Sequence, residues 1–308
     1  MLDASLRREL VELISKSFNY EQIEELGRLV LGHFDAHKTL NVERHITVSA
    51  RRAAAGLVEH LDKKKHVWEL IRLVVESDGQ MFIGRQIAIQ GLEDFLDSLT
   101  RSGWVYDFAR RRLVEAKDDP VEIPNWGALR DGKNYHTTVA SIDLVQSSEL
   151  ARRYGQRKMK KMLYQFREFM KQKLRYYDGR IWSWGGDGGI VSFAFKNSEI
   201  RAAQCALDLQ RTVRVFAGSP DYPLDEAIGL RIGIDCGPVT FHHDTGSIIS
   251  DTINFAAHIE KKSTPAGHVG ISEAMLTRLP DRIADVFTTE DDLEKRSVFI
   301  TANRMDEL

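Results

Sequence analysis

Two aspartates each close a short apolar stretch and open onto a turn suited to phosphate. Asp143 ends Thr138-Val139-Ala140-Ser141-Ile142-Asp143 and is followed by Leu144-Val145-Gln146-Ser147-Ser148. Asp187 lies inside Gly185-Gly186-Asp187-Gly188-Gly189, between Arg180-Ile181-Trp182-Ser183-Trp184 and Ile190-Val191-Ser192-Phe193. Taken singly, each has an ordinary reading: a carboxylate at a strand end, and an Asp-Gly turn. Brought together, two carboxylates bind hard divalent cations, and such cations neutralise a triphosphate.

The elements around them can fold so that the two meet. The run from His136 to Asp143 alternates as a strand, and Ser147 or Ser148 is placed to cap a helix over about 148–177, leaving free N–H groups for a phosphate. The glycine-flanked Asp187 reads as the tip of a tight hairpin over 180–195, where positive φ and close backbone approach are needed. A helix near 198–216 follows, then a strand from Ile228 to Gly237 that turns at Pro238. A helix over about 250–262, a Pro265-Ala266-Gly267 turn and a strand over 268–271 come next. Helices alternating with hairpin-joined strands predict an α+β, ferredoxin-like domain rather than a doubly wound parallel sheet.

All 7 prolines fall at or after Pro120, which marks a boundary. Before it the pattern is helical: Leu6, Leu10, Leu13 and Ile14, then Ile23, Leu26, Val30 and Phe34, then Ala53, Leu57 and Leu61, then Val67, Leu70, Ile71 and Val74. Asn19 and Ser49 are N-cap candidates, and Gly32 and Gly79 candidate stops. Trp104-Val105-Tyr106 and Arg112-Leu113-Val114-Glu115 suit a small hairpin. The expected organisation is an all-α helical bundle over 1–118, a linker over 119–134 and the α+β domain over 135–308.

The family resemblance lies in the C-terminal motifs. Arg231-Ile232-Gly233-Ile234-Asp235-Cys236-Gly237-Pro238-Val239, Ser250-Asp251-Thr252-Ile253-Asn254-Phe255-Ala256-Ala257-His258 and Pro265-Ala266-Gly267-His268-Val269-Gly270-Ile271-Ser272 follow one another in order. Together with Asp143 and Asp187 they resemble the class III nucleotidyl (adenylate/guanylate) cyclase catalytic domain over about 136–300. The resemblance implies conversion of a nucleoside triphosphate to its 3′,5′-cyclic monophosphate with two Mn²⁺ or Mg²⁺ ions. It assigns Asp143, Asp187 and the Leu144 carbonyl to metal, Ser147 and Ser148 to the phosphates, and Asn254 to the ribose. It also implies a homodimer with shared active sites, in which one chain supplies the metal residues and its partner Asn254 and the residue at 258.

The departures from the family pattern concern the base and the transition state. The family's adenine-reading lysine falls at Ser183, its base-reading acid at Ser247 and its transition-state arginine at His258. Trp182 and Trp184 are expected on one strand face, packing in the core or dimer seam, with Tyr176 or Tyr177 covering the base from the side. Such losses are similar to those of the pyrimidine cyclases of bacterial anti-phage Pycsar systems. The expectation is a pyrimidine triphosphate, UTP ahead of CTP, with an adenylate cyclase as the alternative. A non-catalytic nucleotide-binding switch of the same fold is the competing class, supported by the missing arginine.

Composition bounds the remainder. With 43% hydrophobic and 29% charged residues and a net charge of −2, nothing draws the chain toward nucleic acid or a membrane surface. The basic residues of 152–175 are expected to form a solvated helix face, and His242-His243 an exposed turn rather than a metal site. Cys205 and Cys236 read as buried free thiols of a reducing compartment, and the opening residues lack the apolar stretch of a signal peptide, so a cytoplasmic location is expected. The helical N-terminal unit is weakly similar to death-like adaptor domains and suggests a regulatory site for a protein partner, or a passive dimerisation domain.

Overall fold

The computed structural model describes residues 2–107, 112–115 and 120–307. Contacts divide the chain into two units: one of Met1–Lys117 with Trp126–Ala128, and one of Asp118–Asn125 with Leu129–Leu308.

The first unit contains α1 (Ala4–Ser17), α2 (Tyr20–Leu31), α3 (Ala36–Leu40), α4 (Ala50–Lys63), α5 (Val67–Ser77) and α6 (Leu92–Arg101). The caps follow the sequence signals. Asn19 and Gln22 form a reciprocal capping box on α2, Ser49 caps α4, and Gly32 closes α2 in the left-handed region. The buried faces are the predicted ones, among them Leu6, Leu10, Leu13 and Ile14 on α1. The unit is not purely helical. The hairpin of β1 (Met81–Phe82) and β2 (Arg85–Gln86) departs from the all-α expectation, because two-residue strands leave no alternation to read. A second hairpin joins β3 (Trp104–Asp107) to β4 (Arg112–Glu115) as expected. Trp126, fully buried, accepts at its carbonyl from Thr100 Oγ1.

The second unit begins β5 (Asn134–Leu144), α7 (Ser147–Tyr177), β6 (Arg180–Gly185), β7 (Gly188–Ala194), α8 (Ser198–Ala217) and β8 (Leu230–Thr240). After these come α9 (Asp251–His258), β9 (Val269–Ser272), α10 (Glu273–Leu276), α11 (Asp281–Ala284), β10 (Phe287–Leu293) and β11 (Arg296–Thr301). One 7-stranded sheet runs in the order β10-β11-β9-β8-β5-β7-β6, with β8 and β9 parallel and the other pairs antiparallel. The stretch from β5 to β8 is a split βαβ pair with its strands ordered fourth, first, third, second, which is the ferredoxin-like arrangement. The fold class is the expected one, α+β behind a helical unit.

Parity divides the sheet. Ala140, Ile142 and Leu144 of β5 face the core built by Met159, Met162, Phe166, Met170 and Leu174 of α7 and Ala202, Ala206, Leu209 and Val213 of α8. Residues of odd number in β5 and β8 face the other way, toward α9. There Gly233 and Gly237 let α9 lie close: a Cβ on Gly233 would stand 2.3 Å from Glu260 N, and one on Gly237 2.7 Å from Thr252 Oγ1. Five residues of π-helix, Ile259–Ser263, continue α9.

Three local expectations are corrected. Gly155 (φ 79°, ψ 159°) breaks α7 into two segments. Pro238 does not turn the chain but continues β8 opposite His136. It is tolerated because β9 pairs β8 only at Ile232, Gly233 and Ile234, leaving that side of Pro238 without a neighbour that needs an N–H. On β6 a bulge at Trp182 shifts the register between Ile181 and Ser183. Trp182 and Trp184 consequently do not share a face: Trp184 packs on Phe166 at 5.9 Å, whereas Trp182 lies 6.1 Å from Phe241 and donates its indole N–H to Pro124 O.

Candidate active site

The pairing of β5 with β7 brings the two aspartates to one end of the sheet. Asp143 is opposite Gly188, and Leu144 N–H donates to Asp187 O at 3.2 Å. Asp187 and Gly186 are the two turn residues, and of these Gly186 alone has positive φ (61°). The flanking glycines are required by close approach. A Cβ on Gly188 would stand 2.3 Å from Ile142 O, and one on Gly189 2.3 Å from Ser183 O. Here the glycine-rich pattern is a packing requirement of the hairpin that carries Asp187.

Ser147 does not cap α7, and neither does Ser148. Gln146 occupies the N-cap position in the left-handed region without a side-chain bond, and Ser147 Oγ donates to the Asp187 carboxylate. The residue expected to leave N–H groups free for phosphate instead holds the turn aspartate. Asp143 has its own partner: Arg231 Nη2 donates to Asp143 Oδ2 at 2.6 Å. Both are half-buried, at 30% and 29% side-chain exposure. Arg231 Nε lies 3.1 Å from Glu260 Oε1, on a side chain only 9% exposed. Arg231 and Glu260 were not singled out from the sequence. Finding them needs the β5–β8 register, which sets Arg231 opposite Asp143, and the close seat of the π-turn on Gly233.

The donor set suits a hard cation. Two carboxylates and nearby backbone carbonyls supply oxygen only, the ligand type of Mg²⁺ and Mn²⁺. Asp143 and Asp187 would hold the ions with the Leu144 carbonyl, and Arg231 would have to yield its place on Asp143.

Glu260 adds a pH response. Burial pushes its carboxyl up to about 7, with Arg231 opposing the rise and Asp143 adding to it. Its ordinary value is 4.5, so between about 4.5 and 7 the folded chain binds more protons than the unfolded one. Stability should therefore fall as pH rises through that window. Glu260→Gln should flatten the decline and raise the thermal midpoint above pH 7, the difference being on the order of 1–3 kcal/mol. Melting curves at pH 5 and pH 8 in chelator check this, and a variant that keeps the wild-type slope would refute it.

Asn254 and His258 lie one turn apart on α9, Asn254 exposed and His258 half-exposed. His258 Nδ1 is 2.8 Å from Glu294 Oε1, and Lys262 Nζ is 2.6 Å from the same oxygen. Glu294 and Lys295 form the β10–β11 turn with φ of 57° and 66°. Arg296 pairs with Asp251 at 2.8 Å, with its guanidinium over the Phe255 ring. Among the described residues no hydrogen bond or ion pair joins Asn254 or His258 to Asp143 or Asp187 of the same chain.

Ser183 and Ser247 are both exposed, and one side-chain bond links the segments that carry them. Ser247 ends the short turn Thr245–Ser247, and Thr245 Oγ1 donates to the carbonyl of Trp182, next to Ser183, at 2.5 Å. Tyr177 does not join them. It is half-buried between α7 and α8, where burial, followed by Asp208, pushes its phenol up to about 12, and its ring meets Tyr176 at 4.9 Å. His242 Nδ1 is 3.5 Å from the Asp131 carboxylate, to which the His243 backbone N–H donates at 2.8 Å, while the His243 ring meets Phe241 at 5.8 Å.

No protein-family model matches the chain. A curated protein of Rhizobium meliloti (strain 1021) with the provisional name adenylate cyclase 3 is 29% identical over 137 residues, which are 44% of this chain and 22% of that protein. The chain thus spans about a fifth of the length of that relative. Among solved structures, the guanylyl cyclase domain of the RhoGC fusion protein from the aquatic fungus Blastocladiella emersonii is 22% identical, with a TM-score of 0.48 over 57% of this chain and 99% of that one. The adenylyl cyclase CyaB from P. aeruginosa is 19% identical, with a TM-score of 0.48 over 56% of this chain and 95% of that one. Among the described residues no helix is long and apolar enough to cross a membrane.

Proposed function

We propose that the second unit is a nucleotidyl cyclase, which closes the ribose 3′-oxygen onto the α-phosphorus of a nucleoside triphosphate and releases pyrophosphate. The observation that carries this reading is the convergence of Asp143 and Asp187 at one sheet end through the β5–β7 register. Two divalent ions bound there would supply the charge that makes the 3′-hydroxyl a nucleophile and shields the α-phosphate. The chain's own groups do the rest. Asn254 would orient the ribose for in-line attack. His258, held by Glu294, would offer an imidazole N–H or cation where charge develops on the phosphate. The reading includes a homodimer with composite sites, in which Asn254 and His258 of one chain would complete the aspartate site of its partner.

Ser183 and Ser247 carry the proposal about the base. Both are exposed, and Thr245 ties the turn that ends at Ser247 to the carbonyl of Trp182, next to Ser183. Their hydroxyls offer donors and acceptors without the charges that read a purine. The proposed substrate is a pyrimidine triphosphate, UTP ahead of CTP, and the cyclic product would act as a second messenger of the kind used in bacterial anti-phage defence. The first unit would be its partner-binding or dimerisation module.

A second reading, a nucleotide-binding switch without turnover, is favoured by one observation: Arg231 already neutralises Asp143. Incubating pure protein with each of the four ribonucleoside triphosphates and Mn²⁺ separates the readings. Cyclic UMP or cyclic CMP in large excess over purine products is expected, because a hydrogen-bonding pocket discriminates strongly. Cyclic AMP with no pyrimidine product would overturn the base assignment, and no cyclic product from any base would favour the switch.

A further inference from the structure

At the end of β5 remote from Asp143, three unlike donor atoms converge. Thr138 stands opposite Cys236 and His136 opposite Pro238, so His136, Thr138 and Cys236 share one face of the sheet. That face carries α8. Thr138 Oγ1 donates to Ser198 Oγ at 3.1 Å, which seats the first turn of α8 over these residues and brings Glu199 in beside them. His136 Nε2 is 2.9 Å from Glu199 Oε1, with the two side chains 46% and 14% exposed. Cys236 is a free thiol only 6% exposed. One ligand atom from each of the three lies within 4.8 Å of the others.

Each part has an ordinary explanation alone: an ion pair, and a small apolar side chain. The combination sets an imidazole nitrogen, a carboxylate oxygen and a thiol sulfur around one point that is open to solvent on the His136 side. Bond lengths of about 2.0–2.3 Å in a tetrahedral zinc site imply donor separations of roughly 3.3–3.7 Å, so the His136–Glu199 pair need widen by less than about 1 Å. Sulfur and imidazole select zinc and its neighbours over Mg²⁺ or Mn²⁺. Seven residues of extended strand, roughly 23 Å, separate His136 from Asp143, and the two point to opposite faces.

We propose that His136, Glu199 and Cys236 form a three-ligand Zn²⁺-class site whose fourth position is water. The Cys236 S–H bond breaks as the metal–sulfur bond forms and its proton leaves to solvent; the proton that His136 Nε2 directs at Glu199 is also given up, the neutral ring keeping its single proton on Nδ1, so that Nε2 gives its lone pair and Glu199 one carboxylate oxygen, and no electron is transferred. Thiolate and carboxylate together balance a dication. Ser198 Oγ, which donates to Glu199 Oε2 at 3.0 Å, keeps the second oxygen occupied. Arg278, 3.6 Å from Glu199 Oε1 and half-exposed, has room to turn into solvent. The metal would clasp β5, β8 and α8 together, independently of the cyclase reading.

Titrating the metal-free full chain with Co²⁺ tests the proposal. The expected result is a near-ultraviolet sulfur-to-cobalt charge-transfer band with tetrahedral visible bands, all displaced by Zn²⁺. Cys236→Ser should lose the charge-transfer band, whereas Cys205→Ser and Asp143→Ala should keep it. His136→Ala and Glu199→Gln should weaken Co²⁺ binding by more than the roughly 10-fold that loss of an outer partner costs. A wild-type chain without the band in excess Co²⁺, or a band that survives in Cys236→Ser, overturns the proposal. If circular dichroism shows Cys236→Ser unfolded, Glu199→Gln decides, and unchanged affinity there overturns it equally.

Discussion

Asp143→Ala and Asp187→Ala are each expected to lower cyclic-nucleotide formation by about a thousand-fold or more, because a cation that stabilises transition-state charge contributes several kcal/mol. The two losses should differ in their side effects. Without Asp143, Arg231 keeps only Glu260, 3.1 Å away, and the pair closes on itself. Without Asp187, Ser147 loses its acceptor and the start of α7 loses its tie to the hairpin tip. Both aspartates are partly exposed, so far-ultraviolet circular dichroism should be unchanged and thermal midpoints should move little. Mn²⁺ binding, followed by electron paramagnetic resonance of the free ion, should drop in parallel with turnover. Wild-type turnover by either folded variant would sink the metal assignment.

Mixing two inactive chains should restore activity. In a composite site, Asp143→Ala disables the metal half and Asn254→Ala the ribose half. Each homodimer of a variant then has two broken sites, whereas the heterodimer has one site with both lesions and one with neither. A random 1:1 mixture is half heterodimer, so about a quarter of the wild-type rate should return. The placement of Asn254, exposed on α9 and unbonded to the aspartates of its own chain, motivates the experiment. Native mass spectrometry would report whether heterodimers form. A mixture that contains them and remains inactive rejects the shared site.

Much of this arrangement was legible in the residues. The alternation of Thr138 to Asp143 and the glycines around Asp187 announced strand and hairpin, since few other structures tolerate Gly-Gly-Asp-Gly-Gly between apolar runs. Asn19, Gly32 and Ser49 marked helix ends because each answers a backbone group that the helix leaves unpaired. What escaped depends on contacts distant in sequence. The Arg231–Asp143 pair follows from the register of β8 on β5, which no local pattern encodes. The bulge at Trp182 parts the two tryptophans onto opposite faces of the strand, and a period-two reading cannot anticipate an inserted residue. Ser147 looked like a cap because capping is the commonest duty of serine before a helix. The nearby Asp187 offered a charged acceptor, and Gln146 took the cap position in its place.

The break at Gly155 has a mechanical consequence. A continuous helix shares hydrogen bonds from turn to turn, so tilting one end strains the whole rod. Here the ladder is interrupted, and the two segments are separately anchored: the first by Leu150, the second by the seam from Met159 to Leu174. The first segment, with Ser147 at its head, would act as a short lever on a glycine pivot. It can follow the hairpin tip as Asp187 changes partner while the long segment stays seated on the sheet, so local adjustment at the carboxylates need not loosen the core.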